Sequence, residues 1–299
     1  MNTPASASTP ERVLLRLDWQ VIRRLDGLLQ GDYRNLFYGY GVDFADLRKY
    51  QPEDDIRYID WNVTARLNTP YVRQYVEDRE FTAWFLLDIS PSVDFGASEN
   101  HKRKKLIDFV STMARILTRN GNRVGAVIFG GRIERMIPAK SGSKQVLQLI
   151  HMLMSYSRPP GSGFTDLSIL LNGALNAIKR RSLIFLVSDF ISSPGWERPL
   201  NLLNQRHEVL AVQLWHPYEK KLPDIGPVYL HDAEIGEQLY LDTHDKKFQR
   251  RFAEAAQLRQ AELDAAFQHA GVDVLSLSTE DELVRSIVRF AGMRRQLRR

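Results

Sequence analysis

Apolar and polar residues follow two alternating patterns from residue 81 to the end of the chain. One pattern is a short, continuous apolar run, which is typical of strands that are buried on both faces. These runs cover residues 81–88, 123–129, 183–189, 208–214 and 272–277. The other pattern repeats its apolar residues at the helical period, over residues 101–119, 143–156, 166–180, 196–205, 246–270 and 280–294. The alternation predicts an α/β fold in which a doubly wound, mainly parallel sheet carries helices on both faces.

Two short segments interrupt this alternation. Residues 132–138 follow Gly130 and Gly131, a pair that favours a turn, so we expect them to form the return strand of a hairpin at the sheet edge. Residues 227–242 contain two strand-like runs and predict a second hairpin.

The first 80 residues differ in composition from the rest of the chain. Residues 18–30 have a helical pattern, whereas residues 37–80 are dense in aromatic and charged side chains and poor in aliphatic ones. Such a segment cannot bury a core of its own, so we expect an extended arm that packs on the α/β domain. The predicted organisation is a disordered tail at 1–10, a helix and arm at 11–80, the α/β domain at 81–294 and a basic tail at 295–299.

The composition, 43% hydrophobic and 26% charged, is that of a globular protein with a sizeable core. The chain has no cysteine, which excludes disulfide bonds and thiolate chemistry and agrees with a reducing compartment. Its first residues lack the basic stretch and apolar block of a signal peptide, and no apolar run approaches the roughly 20 residues that span a bilayer. We therefore expect a cytoplasmic protein without a membrane span.

The net charge of +5 raises the question of nucleic-acid binding. Much of the excess lies in two basic runs, at residues 101–105 and 293–299. Runs of this kind usually form a solvated helix face, and basic residues at a helix end complement the helix dipole. The sequence contains no zinc-finger spacing, aromatic RNA-binding signature or helix-turn-helix pattern, so we expect no nucleic-acid partner.

The apolar run at residues 81–88 ends in an oxygen-rich loop. Asp88, Ser90 and Ser92 alternate there with apolar residues, so their side chains lie on one side of a tight loop. Carboxylate and hydroxyl oxygens are hard ligands of the kind that Mg²⁺ and Ca²⁺ prefer. The loop is therefore a candidate part of a divalent-metal site.

Two further residues complete the candidate site. Asp189 ends the apolar run at residues 183–189, and Thr165 directly precedes the helical stretch that begins at residue 166. The carboxyl ends of parallel strands share one edge of the sheet, and ligands bind there in open α/β folds. Two carboxylates side by side repel each other, and a divalent cation relieves that repulsion. The predicted ligands are Asp88, Ser90, Ser92, Thr165 and Asp189, with Mg²⁺ as the expected ion and Ca²⁺ or Mn²⁺ as alternatives.

Other interpretations of these residues stay open. Aspartate, serine and threonine are preferred helix N-caps, so the five side chains would then only cap helices. An aspartate at a strand end can also form an aspartyl phosphate, which makes a phosphotransferase or phosphatase with Asp88 as nucleophile the enzymatic alternative. Such enzymes generally carry a nearby lysine and a second carboxylate two residues on, where this chain has Ser90. The sequence has no serine-hydrolase elbow, phosphate-binding loop or dinucleotide-binding motif, so we expect a binding protein and not an enzyme.

The five candidate ligands resemble the metal-ion-dependent adhesion site of von Willebrand factor A domains. The segment GYGVDFADLRKYQPEDDIRYIDWNVTAR resembles the signature of a bacterial family designated domain of unknown function fifty-eight, and the resemblance extends from about residue 30 to residue 280. Members of that family are similar to von Willebrand factor A domains and are commonly encoded beside MoxR-type AAA+ ATPases. The resemblance implies a von Willebrand factor A-like, Rossmann-like fold preceded by the arm.

For the metal site, the resemblance implies direct ligation by the hydroxyls of Ser90, Ser92 and Thr165. The carboxylates of Asp88 and Asp189 would bind directly or through water. A carboxylate of a partner often completes the metal shell in such domains. The implied function is metal-dependent protein binding, as an adaptor or co-chaperone of a MoxR-type AAA+ ATPase, with an Asp or Glu of the ATPase or of a client protein at the metal.

One position departs from the family pattern, since many relatives carry methionine after the second serine and this chain has Val93, followed by the acidic Asp94. In the arm, the residues most shared with the family are Glu53, Asp54, Asp55, Arg57, Asp60, Trp61 and Arg66. We expect them mainly to keep the arm in place, with Trp61 as an anchor and Arg57 and Arg66 in ion pairs with nearby acids. A docking surface is the alternative interpretation.

Overall fold

A computed structural model describes residues 9–11, 46–52, 54, 56, 59–74, 81–97, 100–157, 164–231 and 238–297. The predicted helix at residues 18–30 and the tip of the second hairpin, at residues 232–237, lie outside the described residues.

Strands and helices alternate along the chain from Thr82 onward. In chain order the strands are β1 Asp46–Lys49, β2 Tyr71–Gln74, β3 Thr82–Asp88, β4 Gly96–Ala97, β5 Asn100–His101, β6 Arg123–Phe129, β7 Ile133–Lys140, β8 Leu183–Ser188, β9 Glu208–Trp215, β10 Pro227–His231, β11 Gln238–Asp242 and β12 Asp273–Ser278. The helices are α1 Trp61–Leu67, α2 Lys102–Arg119, α3 Ser143–Ser155, α4 Leu167–Ala177, α5 Glu197–Arg206, α6 Lys246–Ala270 and α7 Leu283–Leu297. Short 3-10 turns at Pro91–Asp94 and Pro217–Glu219 follow β3 and β9.

Six strands form one sheet in the order β12, β9, β8, β3, β6, β7. All neighbouring pairs are parallel except β6 and β7, which form the predicted edge hairpin with Gly131 in the left-handed region at φ 95°. The first strand of the sheet, β3, lies between β6 and β8, so the chain builds outward on one side of β3 and then on the other. This topology confirms the predicted doubly wound sheet and places its switch point between β3 and β8.

Each face of the sheet has its own apolar core. On one face α2, α3 and α7 cover the sheet, where the ring of Phe85 stacks on Phe185 and the ring of Phe109 meets Phe185 edge to face. On the other face α4, α5 and α6 cover the sheet, and Leu86 belongs to that second core. Adjacent residues of β3 therefore serve different cores, because side chains alternate between the faces of a strand. This burial on both faces explains the continuous apolar runs that predicted the strands.

The predicted element boundaries agree with the structure most closely where capping residues define them. The long helix α6 spans residues 246–270 as predicted, because Asp245 caps its first turn and Gly271, at φ 64°, ends it in the left-handed conformation. The last helix continues to Leu297, beyond its predicted end at residue 294. Strands β10 and β11 pair antiparallel and confirm the second hairpin. None of the described helices is both long enough and apolar enough to cross a lipid bilayer.

The described part of the arm contains regular structure. Strands β1 and β2 pair antiparallel, and α1 lies between them in the chain. Asp60 caps α1 by accepting hydrogen bonds from the backbone N–H groups of Asn62 and Val63, at 3.0 and 3.2 Å. The family residue Asp60 therefore has a structural role, as expected for a helix N-cap.

Other expectations about the arm have different outcomes. The prediction that Trp61 anchors the arm is wrong, because this residue is 68% exposed. Asp54 is paired with Arg48, whose Nη1 donates to Asp54 Oδ2 at 2.7 Å. Arg57 lies outside the described residues. The packing of the arm on the α/β domain stays a prediction.

Candidate metal centre

Two carboxylates lie side by side at the switch point of the sheet. Asp88 is the last residue of β3, and Asp189 directly follows β8, the strand that pairs with β3. Both side chains are buried. Each accepts a hydrogen bond from the backbone two residues on, from Ser90 N–H to Asp88 Oδ1 at 2.9 Å and from Ile191 N–H to Asp189 Oδ1 at 3.0 Å. The two strand ends thus form equivalent turns, and the two carboxylates are close enough for the charge of Asp189 to act on Asp88.

Ser188 connects the two turns and was not identified from the sequence. Its hydroxyl donates to Asp88 Oδ2 at 2.6 Å and accepts from the backbone N–H of Phe190 at 2.8 Å. Phe190 has a left-handed backbone, at φ 57°, which costs a non-glycine residue about 1 kcal/mol. Its ring packs on Trp196 and Phe267, with centroids 5.5 and 4.8 Å away, and this apolar packing stabilises the turn.

The hydroxyls of the first loop also lie together. Ser90 and Ser92 are buried, and their Oγ atoms are 3.1 Å apart. The 3-10 turn Pro91–Asp94 brings them to the same side, since the N–H of Val93 bonds to the carbonyl of Ser90 at 3.1 Å. Val93 is fully buried, so the departure from the family pattern is a change in core packing. Asp94 is exposed and lies 3.6 Å from Arg103 Nη1.

Thr165 joins this edge through the loop that follows β8. Its side chain is buried, and its carbonyl accepts a hydrogen bond from the N–H of Ser193 at 2.9 Å. A second bond ties the same loops together, from the N–H of Leu167 to Ser192 Oγ at 2.9 Å. The structure thus brings the loops of all five predicted ligands to one edge. Direct side-chain contact is described between Ser90 and Ser92, and Ser188 connects Asp88 to the turn at Asp189.

The capping interpretation does not account for these residues. The N-cap of α4 is Asp166, which accepts from the N–H of Ser168 at 2.9 Å, and the N-cap of α2 is His101. Ser90 occupies the N-cap position of a 3-10 turn, but its side chain makes no capping hydrogen bond. The helix N-caps described at this edge are thus Asp166 and His101, and not the five predicted ligands.

The ionisation of Asp88 reflects its surroundings. Burial and, next to it, the negative charge of Asp189 raise the pKa of Asp88 to about 6, although hydrogen bonds from Ser188 and Ser90 act in the opposite direction. Within the described part of the chain, no basic side chain forms an ion pair with Asp88. A cation next to Asp88 would favour the ionised carboxylate, which is what a metal ligand requires.

Lys102 is a charged residue at this edge that the sequence interpretation assigned to a solvated helix face. The expectation that the basic run at residues 101–105 forms a solvated helix face is wrong for Lys102, whose side chain is fully buried. Its Nζ donates to Asp189 Oδ2 at 2.6 Å and also to Glu219 Oε1. The helical period could have indicated this burial, because Lys102 lies one turn before Leu106, on the buried face of α2.

Glu219 brings a third strand end into contact with the site. It lies in the 3-10 turn after β9 and accepts from the backbone N–H of His216 through Oε2, at 3.2 Å. Burial alone would lower the pKa of Lys102, but the carboxylates of Asp189 and Glu219 outweigh it and raise that pKa. The ring of Phe95 covers the ammonium, with its centroid 5.7 Å from Nζ.

The donor set fits a small, hard divalent cation. It offers hydroxyl and carboxylate oxygens, the ligand types that Mg²⁺, Ca²⁺ and Mn²⁺ take in proteins. Among the residues described, no group of three or more His, Cys, Asp or Glu side chains is arranged to hold a metal ion. A site here would consequently depend on the hydroxyls of Ser90, Ser92 and Thr165 beside one or two carboxylates.

A comparison with protein-family models matches residues 46–262 to the family "Protein of unknown function DUF58". Among curated proteins, the chain is 34% identical over 283 residues to the uncharacterized protein Rv1480 of Mycobacterium tuberculosis, covering 95% of this chain and 89% of that protein. The uncharacterized protein Mb1516 of Mycobacterium bovis is similar to the same extent, 34% over 283 residues with the same coverage.

Solved structures with a similar fold include the conserved hypothetical protein BatB from Bacteroides thetaiotaomicron. It is 14% identical with a TM-score of 0.45, over 72% of this chain and 99% of that one. An aerotolerance-related membrane protein from Bacteroides fragilis is 13% identical with a TM-score of 0.49, over the same 72% and 99%.

Proposed function

The chain belongs to the DUF58 family, and on that premise we propose that the Asp88 edge of its sheet is a divalent-metal site through which it binds a partner protein. The observation that carries the proposal is Asp88 itself. It is a fully buried carboxylate beside a second one, with hydroxyls around it and no basic side chain paired to it among the described residues. An ionised carboxylate is costly to bury without a counter-charge, and a bound cation supplies one.

In this proposal the residues of the first loop and Thr165 hold Mg²⁺. Ser90, Ser92 and Thr165 present hydroxyl oxygens, and Asp88 presents a carboxylate, which binds directly or through water. Mg²⁺ would supply a positive charge with coordination positions open to an outside ligand, since it seldom takes a full set of protein ligands. Ser188 fixes the direction of the Asp88 carboxylate through its hydrogen bond to Oδ2, at 2.6 Å.

The surroundings of the site favour a protein ligand. A carboxylate from an Asp or Glu of the partner is the hard anionic group that suits the open position. Phe164, next to Thr165, is 71% exposed, and Phe95 and Tyr218 are exposed aromatic residues on the neighbouring loops. Exposed aromatic side chains are enriched in protein interfaces, so these loops would contact residues that flank the partner's acid.

We further propose that the partner is a MoxR-type AAA+ ATPase, or a client protein that the chain brings to such an ATPase. The support is the resemblance to relatives encoded beside these enzymes, together with a site that offers recognition without evident catalytic groups. The position two residues after Asp88, where such an enzyme would carry a second carboxylate, is Ser90. Lys102 contacts Asp189 and not Asp88, so it does not complete the phosphotransfer set either.

The first test is metal binding by the isolated chain. Thermal unfolding and calorimetry with Mg²⁺ or Mn²⁺ would compare the wild type with Asp88→Ala and, as a matched control, Asp94→Asn, which removes an exposed carboxylate of the same loop. At a metal concentration of about 100 times Kd, linkage predicts about 2.7 kcal/mol of added stability in the wild type and the control. The Asp88→Ala variant should gain none. No metal-linked gain in the wild type contradicts the proposal.

The second test is partner binding. A MoxR-type ATPase would be titrated with the same three proteins, in Mg²⁺ and in chelator. We expect binding only by the wild type and Asp94→Asn, and only in Mg²⁺. Equal affinity in all conditions would exclude metal bridging. Turnover of a phosphorylated substrate that disappears in Asp88→Ala would instead support the enzymatic alternative.

A further inference from the structure

Lys102 occupies an unusual place for a lysine. It is the first residue of α2, and its side chain is fully buried at the carboxyl edge of the sheet. Lysine is almost never fully buried unless its ammonium is paired. Here the pairing is with Asp189 and Glu219, two carboxylates from different strand ends. A buried ion group of this kind stabilises a fold weakly at best, so its position next to the candidate metal site needs a separate reason.

The contacts of Asp189 differ from those of Asp88 in one respect. Both carboxylates accept a backbone N–H through Oδ1, but the Oδ2 of Asp189 accepts from an ammonium and the Oδ2 of Asp88 accepts from a neutral hydroxyl. The charge of Asp189 is therefore partly compensated, and its Oδ2 is held by Lys102. Of the two carboxylates, Asp88 is the one without a described basic partner, so it keeps a negative charge that another cation can neutralise.

Glu219 determines how strongly Lys102 acts on Asp189. The same ammonium is shared by both carboxylates, so removing the charge of Glu219 would leave more of it to Asp189. Removing the ammonium would leave two uncompensated carboxylates beside the site. The two changes shift the charge near a bound cation in opposite directions.

We propose that Lys102 is a positioning residue that sets the metal affinity of this edge by neutralising Asp189 and keeping it from direct ligation. This inference rests on the proposed metal site. Asp189 then contributes through a hydrogen-bonded water, and Asp88 supplies the charged contact. A metal with fewer anionic protein ligands attracts an external carboxylate more strongly, so Lys102 would favour the partner's acid over a closed, all-protein shell.

The test is calorimetry of the full chain with Mn²⁺ or Mg²⁺ alone. Lys102→Met should bind the ion about tenfold more tightly or better, because it restores a negative charge next to the site. Glu219→Gln keeps the shape and one acceptor oxygen and should bind about tenfold more weakly, because it removes a negative charge. Lys104→Met is the matched control, since it removes a charge from the same basic run at a position without a described contact to Asp189, and its affinity should change less than about twofold.

The directions of these changes in metal affinity distinguish an electrostatic role of Lys102 from a purely structural one. If Lys102 only supports the fold, both Lys102→Met and Glu219→Gln lower the affinity, which overturns the inference while the metal site stands. If the wild type binds no ion, the proposed function fails and this inference fails with it. Should Lys102→Met not fold, the double variant Lys102→Met/Glu219→Gln is compared with Glu219→Gln. Loss of the ammonium must then raise the affinity, and an unchanged or lower value contradicts the role of Lys102.

Discussion

The two edges of the central sheet each hold a basic side chain between two carboxylates. At the carboxyl edge, Lys102 lies between Asp189 and Glu219. At the amino edge, Arg294 donates at 2.6 Å to Glu208, the first residue of β9, and at 2.6 Å to Asp273, the first residue of β12. Both basic residues come from runs that sequence interpretation assigned to solvent, and both are buried, so that expectation is also wrong for Arg294.

The difference between the edges lies in what surrounds each ion group. At the amino edge the acids are partly open to water, with the Asp273 side chain 38% exposed, and the group closes the space between α7 and the strand starts. At the carboxyl edge Lys102 and Asp189 are fully buried, and an additional buried carboxylate, Asp88, stands beside them. Arg294 thus faces two carboxylates at the amino edge, whereas Lys102 lies among three at the carboxyl edge, where the excess of negative charge is larger. This larger excess of negative charge is what the proposed metal site would use.

Replacing one acidic residue at each edge by alanine should give the largest difference in the free energy of unfolding between the two edges. Asp189→Ala leaves the buried Lys102 with a single partner, and we expect the free energy of unfolding to fall by about 3–5 kcal/mol. Asp273→Ala at the amino edge should cost less than about 1 kcal/mol, because the pair is partly solvated and Arg294 keeps Glu208. Urea unfolding of both variants measures the contrast, and equal losses would remove the distinction between the edges.

Asp88→Asn tests the charge imbalance directly. In chelator at neutral pH this variant should be more stable than the wild type, by about 2 kcal/mol, because burial disfavours the ionised carboxylate. Burial raises the pKa of folded Asp88 from 3.8 to about 6, so the folded state takes up a proton at higher pH than the unfolded chain does. The wild type therefore gains stability as the pH falls through about 6, and the difference between the two proteins narrows. The range from about pH 7 to about pH 5 spans this pKa, so a difference in unfolding free energy that stays constant across it would contradict the raised pKa of Asp88.

The amino edge should respond to acid with the opposite sign, and with the smallest effect. Burial lowers the pKa of His207, which precedes β9, and the charge of Arg206 adds to the shift. The unfolded chain then takes up the proton first, so the contribution to stability is complete above about pH 6.5 and is lost as the pH falls below that value. His207→Gln should remove this loss. Urea titrations of both proteins at several pH values measure it, and identical acid sensitivity would show that His207 does not contribute.

Much of the sheet could be predicted from the chain because its determinants are local. Continuous apolar runs identified the strands, and residues such as Asp245 and Gly271 defined helix ends. The edge hairpin followed from Gly130 and Gly131 in the same way. The candidate ligands were accessible for a related reason, since Asp88 and Asp189 end apolar runs and parallel strand ends share an edge.

The contacts that tune the edge could not be obtained in the same way. Lys102 meets Glu219 across 117 residues of sequence, and a basic run gives no indication of which member turns inward. The sequence interpretation assigned Ser188 to a strand and gave it no role in the site, although its hydroxyl connects the two carboxylate turns. Trp61 shows the reverse error, because a large aromatic residue in a polar segment was expected to be buried and is exposed. These features depend on which residues the tertiary structure brings next to each side chain.

The parallel pairing of β3 with β8, in which Leu87 lies opposite Val187, also sets a distance across the site. Neighbouring strands are held about 4.8 Å apart by their backbone hydrogen bonds, so the separation of the two carboxylate-bearing chains is fixed by the main chain and not by the choice of loop residues. With Leu87 opposite Val187, Asp88 lies level with Ser188, and a slip of one residue in β3 would turn Asp88 to the opposite face of the sheet. Substitutions in the loops around this edge should therefore leave the distance between the two strands unchanged.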